Sequence, residues 1–180
     1  MNITVKPTTS QSTLYTLTEF GFGNYNSTTS TQYFASILND QESVYKSQTN
    51  QTYVTMDFRG IGLPSRSYSR FVNLLQIATN GTASCANIQG GMCALPQTCN
   101  NYQNLWQYSF RVAFNSNDGQ YIVVPLSIFA QNKELQGLAS CVIYVEKLDE
   151  TLANSQSIVI GQMFFQSIDL AYFANFTAKQ

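Results

Sequence analysis

The sequence predicts a mostly β chain with one or two short helices, and three observations carry that expectation. Apolar and polar residues alternate over short segments, "STLYTLTEFGF", "TQYFASIL", "QTYVTMDF", "YSFRVAF", "QYIVVPLSIF" and "SCVIYV", as a strand with one buried face requires. Between two of these segments stands "NSNDGQ" (Asn115 to Gln120), whose Asp-Gly is a strong hairpin signal and predicts a hairpin over 107–126. One segment, "LPSRSYSRFVNLLQIA", breaks the period of two. Its Tyr68, Phe71, Val72 and Leu75 recur at helical spacing behind Pro64 and Ser65, which can open and cap a helix, so a helix is expected over 65 to 77. A second apolar run, "GQMFFQSIDLAYF", follows Gly161 and has room for one helical turn between two strands. Neither an internal repeat nor a low-complexity tract divides the chain, so residues 1–180 are expected to form a single domain with a full core.

Charged residues make up only 11% of the chain and hydrophobic residues 44%, so Asn, Gln, Ser, Thr and Tyr must cover most of the surface. Such a surface suits an extracellular protein. A net charge of −1 and the scatter of nine basic residues argue against a face that tracks phosphates, so no nucleic-acid partner is expected. No signal peptide opens the sequence, and no apolar run approaches the ~18 residues that cross a bilayer, so no membrane span is expected.

The cysteines number four, Cys85, Cys93, Cys99 and Cys141. With no histidine in the chain and no C-x-x-C pair, two disulfides fit better than a metal site, and neither a metal nor another cofactor is expected. Spacing does not fix the pairing. Cys93 and Cys99 flank a proline-containing loop that can close locally, which leaves Cys85 for Cys141. Sequons stand at Asn2, Asn26, Asn50, Asn80 and Asn175, in keeping with secretion or display at the cell surface, although composition alone supplies about three by chance.

The order of these elements carries a resemblance. A strand runs into Asp57, a Gly-containing turn and Pro64 follow, then come a helix, a hairpin, the cysteines and finally "SIVIGQMFFQSIDLAYF". This order, nearly the whole chain long, resembles the C-terminal lobe of the pepsin-like aspartic proteases. In that family each lobe carries a D-[ST]-G-[ST] loop braced by a hydrophobic-hydrophobic-Gly element, matched here by Val159, Ile160 and Gly161. Met163, Phe164, Phe165 and Phe173 match the Phe-rich segment beyond that glycine, and "FGFGNYN" (Phe20 to Asn26) looks like the strand that opens the lobe. The resemblance implies a single pepsin-like lobe, a sandwich or barrel-like arrangement of sheets, and a disulfide between Cys85 and Cys141.

It also implies a test of Asp57. Aspartic protease chemistry needs two carboxylates sharing one proton, because like charges ~3 Å apart cannot both ionise, and one lobe supplies one of the two. Here the supporting positions depart from the motif: Phe58 replaces the small hydroxyl residue, Arg59 the glycine and Gly60 the second hydroxyl residue, and the segment to Pro64 looks shorter than in active relatives. An arginine beside Asp57 would favour its charged form and oppose proton sharing. Asp57 is therefore expected to be a degenerate catalytic position, satisfying turn amides. No other catalytic set replaces it, since the lack of histidine removes Ser-His-Asp and Cys-His arrangements. "EKLDE" (Glu146 to Glu150) reads as a solvated turn rather than a cation site, and "QGGMCALP" lacks the Lys-Ser/Thr of a phosphate loop.

A lone lobe presents strand edges and an apolar face that seek a partner. The expected function is a non-catalytic secreted glycoprotein with a protease-lobe fold, a structural and self-associating subunit of a kind that can build filaments. The stretch "MNITVKPTTSQSTLYTL" is a candidate for the strand that pairs with a neighbour. Two alternatives stand beside this reading: the C-terminal half of an aspartic endopeptidase or pseudoprotease that pairs with an N-terminal lobe, and an extracellular sugar- or peptide-binding module.

Overall fold

Where the alternation is longest the chain builds its longest strand, β1 (Ser12–Tyr25). In the computed structural model, which describes residues 12–25, 32–36, 50–55, 57–85, 91–114, 122–148 and 158–166, β1 is the spine of an eight-stranded sheet. Its first half pairs antiparallel with β3 (Asn50–Thr55), and its second half lies between β2 (Gln32–Ser36) and β6 (Tyr108–Phe114). The register on β6 shifts between Leu17 and Glu19. Thr18 is thus the extra residue of a bulge, which bends β1 where it changes partners. Just beyond, Phe20 and Phe22 stand two apart and enter the core from one face.

The expected hairpin is present as β6 paired antiparallel with β7 (Ile122–Pro125), from Ser109 opposite Pro125 to Val112 opposite Ile122. Its Asp-Gly turn at 115–120 lies outside the described residues, as do Asn2, Asn26, Asn175, Phe173, residues 1–11 and the end of the acidic run at 149–150. "QYIVVPLSIF" does not continue as one strand. Pro125, which has no N–H for a ladder, ends β7, and the chain turns into a 3-10 helix, Leu126–Phe129, that buries Leu126 and Phe129 together on one side.

The predicted helix is α1 (Ser65–Ala78), with Pro64 at its N-cap in extended conformation. Tyr68, Phe71 and Leu75 are buried as their spacing requires, while Val72 is partly buried at the edge of the core. Phe71 meets Phe22 edge-on at 5.3 Å and stacks on Phe110 at 5.7 Å; Phe110 in turn meets Phe20 and Phe129. The helix is thereby fastened to the spine of the sheet through aromatic rings.

One crossover positions the site. β3 and β4 (Ile61–Leu63) follow one another in the chain but are not neighbours, because β11 (Ile158–Ile160) lies between them, parallel to β3 and antiparallel to β4. Residues 57–60 must therefore arch over the C-terminal end of β11. The apolar run continues past β11 into a helical turn at 162–166, as its sequence predicts.

The second sheet has three strands, β5 (Cys93–Pro96), β9 (Leu138–Ile143) and β8 (Ala130–Leu135), in that order. β8 and β9 form a tight hairpin with Gln136 and Gly137 at positive φ. After β9 the chain passes through Tyr144 into β10 (Val145–Lys147), which joins the large sheet parallel to β4. Tyr144 links the sheets by its main chain: its N–H donates to the Phe129 carbonyl, and its carbonyl accepts from Ile61 N–H at 3.0 Å.

All four cysteines are in disulfides, but the pairing differs from the expectation. Cys85 bonds Cys93 and Cys99 bonds Cys141. The isolated bridge between Ser84 and Ala94 lays the chain after α1 along β5, which brings the Cα atoms of Cys85 and Cys93 to 4.0 Å. β5 is extended, so it carries Cys99 away from Cys93 and toward β9. There Cys99 N–H donates to Asn132 Oδ1 at 2.7 Å, and Asn132 lies directly opposite Cys141.

Candidate functional site

The residues that the family motif singles out meet at the ends of β3 and β11. Gly161 N–H donates to the Gly60 carbonyl at 2.8 Å, Gln162 N–H to the Phe58 carbonyl at 2.7 Å and Met163 N–H to the Arg59 carbonyl at 2.8 Å. The start of the helical turn thus grips the loop of Asp57 by three carbonyls, and its own first N–H groups are satisfied in doing so. This close approach requires two glycines. A Cβ on Gly161 would stand 2.2 Å from the Phe58 carbonyl oxygen, and one on Gly60 would stand 1.9 Å from that of Tyr144.

Asp57 is exposed, and its backbone N–H donates to Thr55 Oγ1 at 3.2 Å. No turn amide among the described residues donates to its carboxylate, so the expected role as an acceptor of turn amides is not what this loop displays. Nor does Arg59 pair with it among the described residues. The guanidinium donates to Gln131 Oε1 and lies over the ring of Tyr144, 4.5 Å from its centroid. Lys133 approaches the same ring at 5.5 Å. Arg59 therefore ties the loop to the small sheet instead of holding the charge of Asp57.

These groups border a shallow depression of about 210 Å³ lined by Asp57, Phe58, Arg59, Gln131, Gln162, Met163 and Gln166. Among the described residues Asp57 is its one carboxylate, and three glutamine amides supply most of the remaining hydrogen-bonding capacity. Of these residues the sequence singled out Asp57, Phe58, Arg59 and Met163. Gln162 and Gln166 carried a faint signal by following Gly161, while Gln131 carried none, since it arrives from the other sheet. No cluster of three or more His, Cys, Asp or Glu side chains suited to a metal occurs among the described residues.

Two sequons lie within the described residues. Asn50 opens β3 opposite Leu17, and Asn80 is exposed in the turn that ends α1. Among the described residues no helix is long and apolar enough to cross a membrane.

The fold, mostly β with one strand threaded between two consecutive ones, is that of a pepsin-like lobe. No family model and no curated protein matches the chain. Among solved structures it is similar to basic 7S globulin from soybean, with a TM-score of 0.50 at 11% identity over 85% of this chain. The chain spans 37% of that globulin's length, and a likeness at this identity bears on the fold alone.

Proposed function

We propose that this chain is a non-catalytic lobe of the pepsin-like type, secreted and glycosylated, that works as a structural subunit by associating with further copies of itself. The observation that carries the reading is the Asp57 loop. Its motif positions hold Phe58 and Arg59, its guanidinium is engaged by Gln131 and Tyr144, and among the described residues its depression contains one carboxylate where proton sharing needs two. Two disulfides suit an oxidising compartment.

A second reading has its own support. The span of 37% of the soybean globulin favours a lobe that joins another lobe in a larger molecule, and that partner would be the source of any second carboxylate. Light scattering with electron imaging of the native material separates the two readings. Extended polymers of one chain support the structural subunit, and a discrete particle of about twice the chain mass supports the paired lobe. Asp57→Asn is expected to leave assembly unchanged; loss of acid peptide cleavage in that variant overturns the non-catalytic reading.

A further inference from the structure

The turn after α1 is tied down by more bonds than its length suggests. Thr79 is the C-cap; Asn80 follows at φ 49° and donates its N–H to the Ile77 carbonyl at 3.3 Å, and Gly81 N–H reaches the Gln76 carbonyl at 2.8 Å. This is a Schellman ending, with asparagine at the left-handed position. Thr79 Oγ1 donates to the Leu75 carbonyl, Thr82 Oγ1 to the Thr79 carbonyl and Gln76 Nε2 to the Ala83 carbonyl, at 2.8, 2.8 and 2.5 Å.

The fold thus uses the backbone of Asn80 and the hydroxyl of Thr82, yet the Asn80 carboxamide takes part in none of these bonds. That side chain is exposed and without a hydrogen-bond partner among the described residues. Asn80, Gly81 and Thr82 spell an N-glycosylation acceptor. One turn earlier, Ile77 is 74% exposed, one of two large apolar side chains so placed among the described residues. The bond from Asn80 N–H to the Ile77 carbonyl sets the two residues at the same end of α1, so a sugar borne by Asn80 is within reach of the exposed Ile77.

We infer that Asn80 carries an N-linked glycan whose first sugar lies over Ile77. The amide nitrogen Nδ2 takes the bond to the sugar's anomeric carbon, and a lipid-linked diphosphate leaves as the nitrogen loses a proton. An N-acetylglucosamine offers a C–H face and an acetyl methyl, both suited to an exposed isoleucine. The inference rests on passage through a secretory compartment and assigns the site within it.

The test expresses the full chain behind a cleavable secretion signal in a eukaryotic cell and maps its peptides after enzymatic release of glycans in heavy-oxygen water. Asn80 is expected to emerge as labelled aspartate, the label to persist in Thr82→Ser, and the glycan to be lost in Asn80→Gly, which keeps the left-handed turn. Secreted protein glycosylated elsewhere but bare at Asn80, or wholly bare, overturns the inference and leaves the secretion reading standing. Retained protein that carries the Asn80 glycan does the reverse. Trimming the glycan to nothing is expected to lower Tm by about 1–2 °C in the wild type and not in Ile77→Ser. Equal behaviour of the two overturns the seating on Ile77.

Discussion

At the scale of single residues the structure rests on two close approaches that no side chain can share. Gly161 is the more informative, because it sits between the strand that braces the Asp57 loop and the helical turn that grips it. Even one methyl group there would be driven into the Phe58 carbonyl oxygen at 2.2 Å and toward the Gly60 carbonyl oxygen at 2.7 Å, both backbone atoms that cannot swing aside. Gly161→Ala is expected to cost more than about 3 kcal/mol in urea unfolding, the range in which overpacking and broken backbone hydrogen bonds combine. A loss under about 1 kcal/mol would mean that the loop shifts freely and the grip is weak. This glycine was legible through the resemblance, in which a hydrophobic-hydrophobic-Gly element braces the loop of the aspartate; the three residues alone are a weak signal. Gln131 was not, because nothing local marks a surface glutamine that reaches a loop 72 residues earlier in the chain.

Among elements, legibility followed burial. β6 buries Phe110 and Val112 on either side of a partly buried Arg111 and announced itself by alternation, whereas β8 is exposed over Asn132, Lys133 and Glu134 and so had no apolar period to read. The pairing of cysteines depended on that unread hairpin, since Cys141 meets Cys99 only once β8 and β9 have formed. Loop-closure entropy ranks the two bridges. With separations of 42 and 8 residues, losing Cys99–Cys141 is expected to cost about 4 kcal/mol and losing Cys85–Cys93 about 2.5 kcal/mol. Melts of the two double Cys→Ala variants check the order, and a reversed order would show that native packing around the bonds outweighs chain entropy. β10 adds a pH dependence. Burial pushes the Glu146 carboxyl up from its ordinary 4.5, with Lys133 pulling it partly back. A carboxyl raised on folding binds its proton more tightly in the native state, so its contribution is most favourable below the unfolded value and declines as pH rises through the folded one. Glu146→Gln is expected to gain Tm relative to the wild type as pH rises from acid to neutral. A constant difference would place Glu146 in solvent.

For the whole molecule, the proposed self-association raises the question of what would hold one copy to the next. The ends of the large sheet are guarded: β10 has three residues, two of them Glu146 and Lys147, and β7 has four and stops at Pro125. In the small sheet, β5 ends at Pro96, and β8 carries Lys133 and Glu134. Strand addition at these four edges is therefore opposed by charge, brevity or a missing N–H, whereas β2, which branches off the large sheet and pairs with β1 alone among the described strands, is a fifth edge. Charge is also too sparse to carry an interface, at 11% of residues with a net of −1. In the proposed assembly, contacts between copies would fall to apolar and amide groups, the main chain of β2 included, which salt does not screen. The mass of the assembly by light scattering is accordingly expected to hold, or to rise, between low salt and about 1 M, where the Debye length shrinks to about 3 Å. Dissociation over that range would identify an ion-paired interface and point to a partner more highly charged than a second copy of this chain.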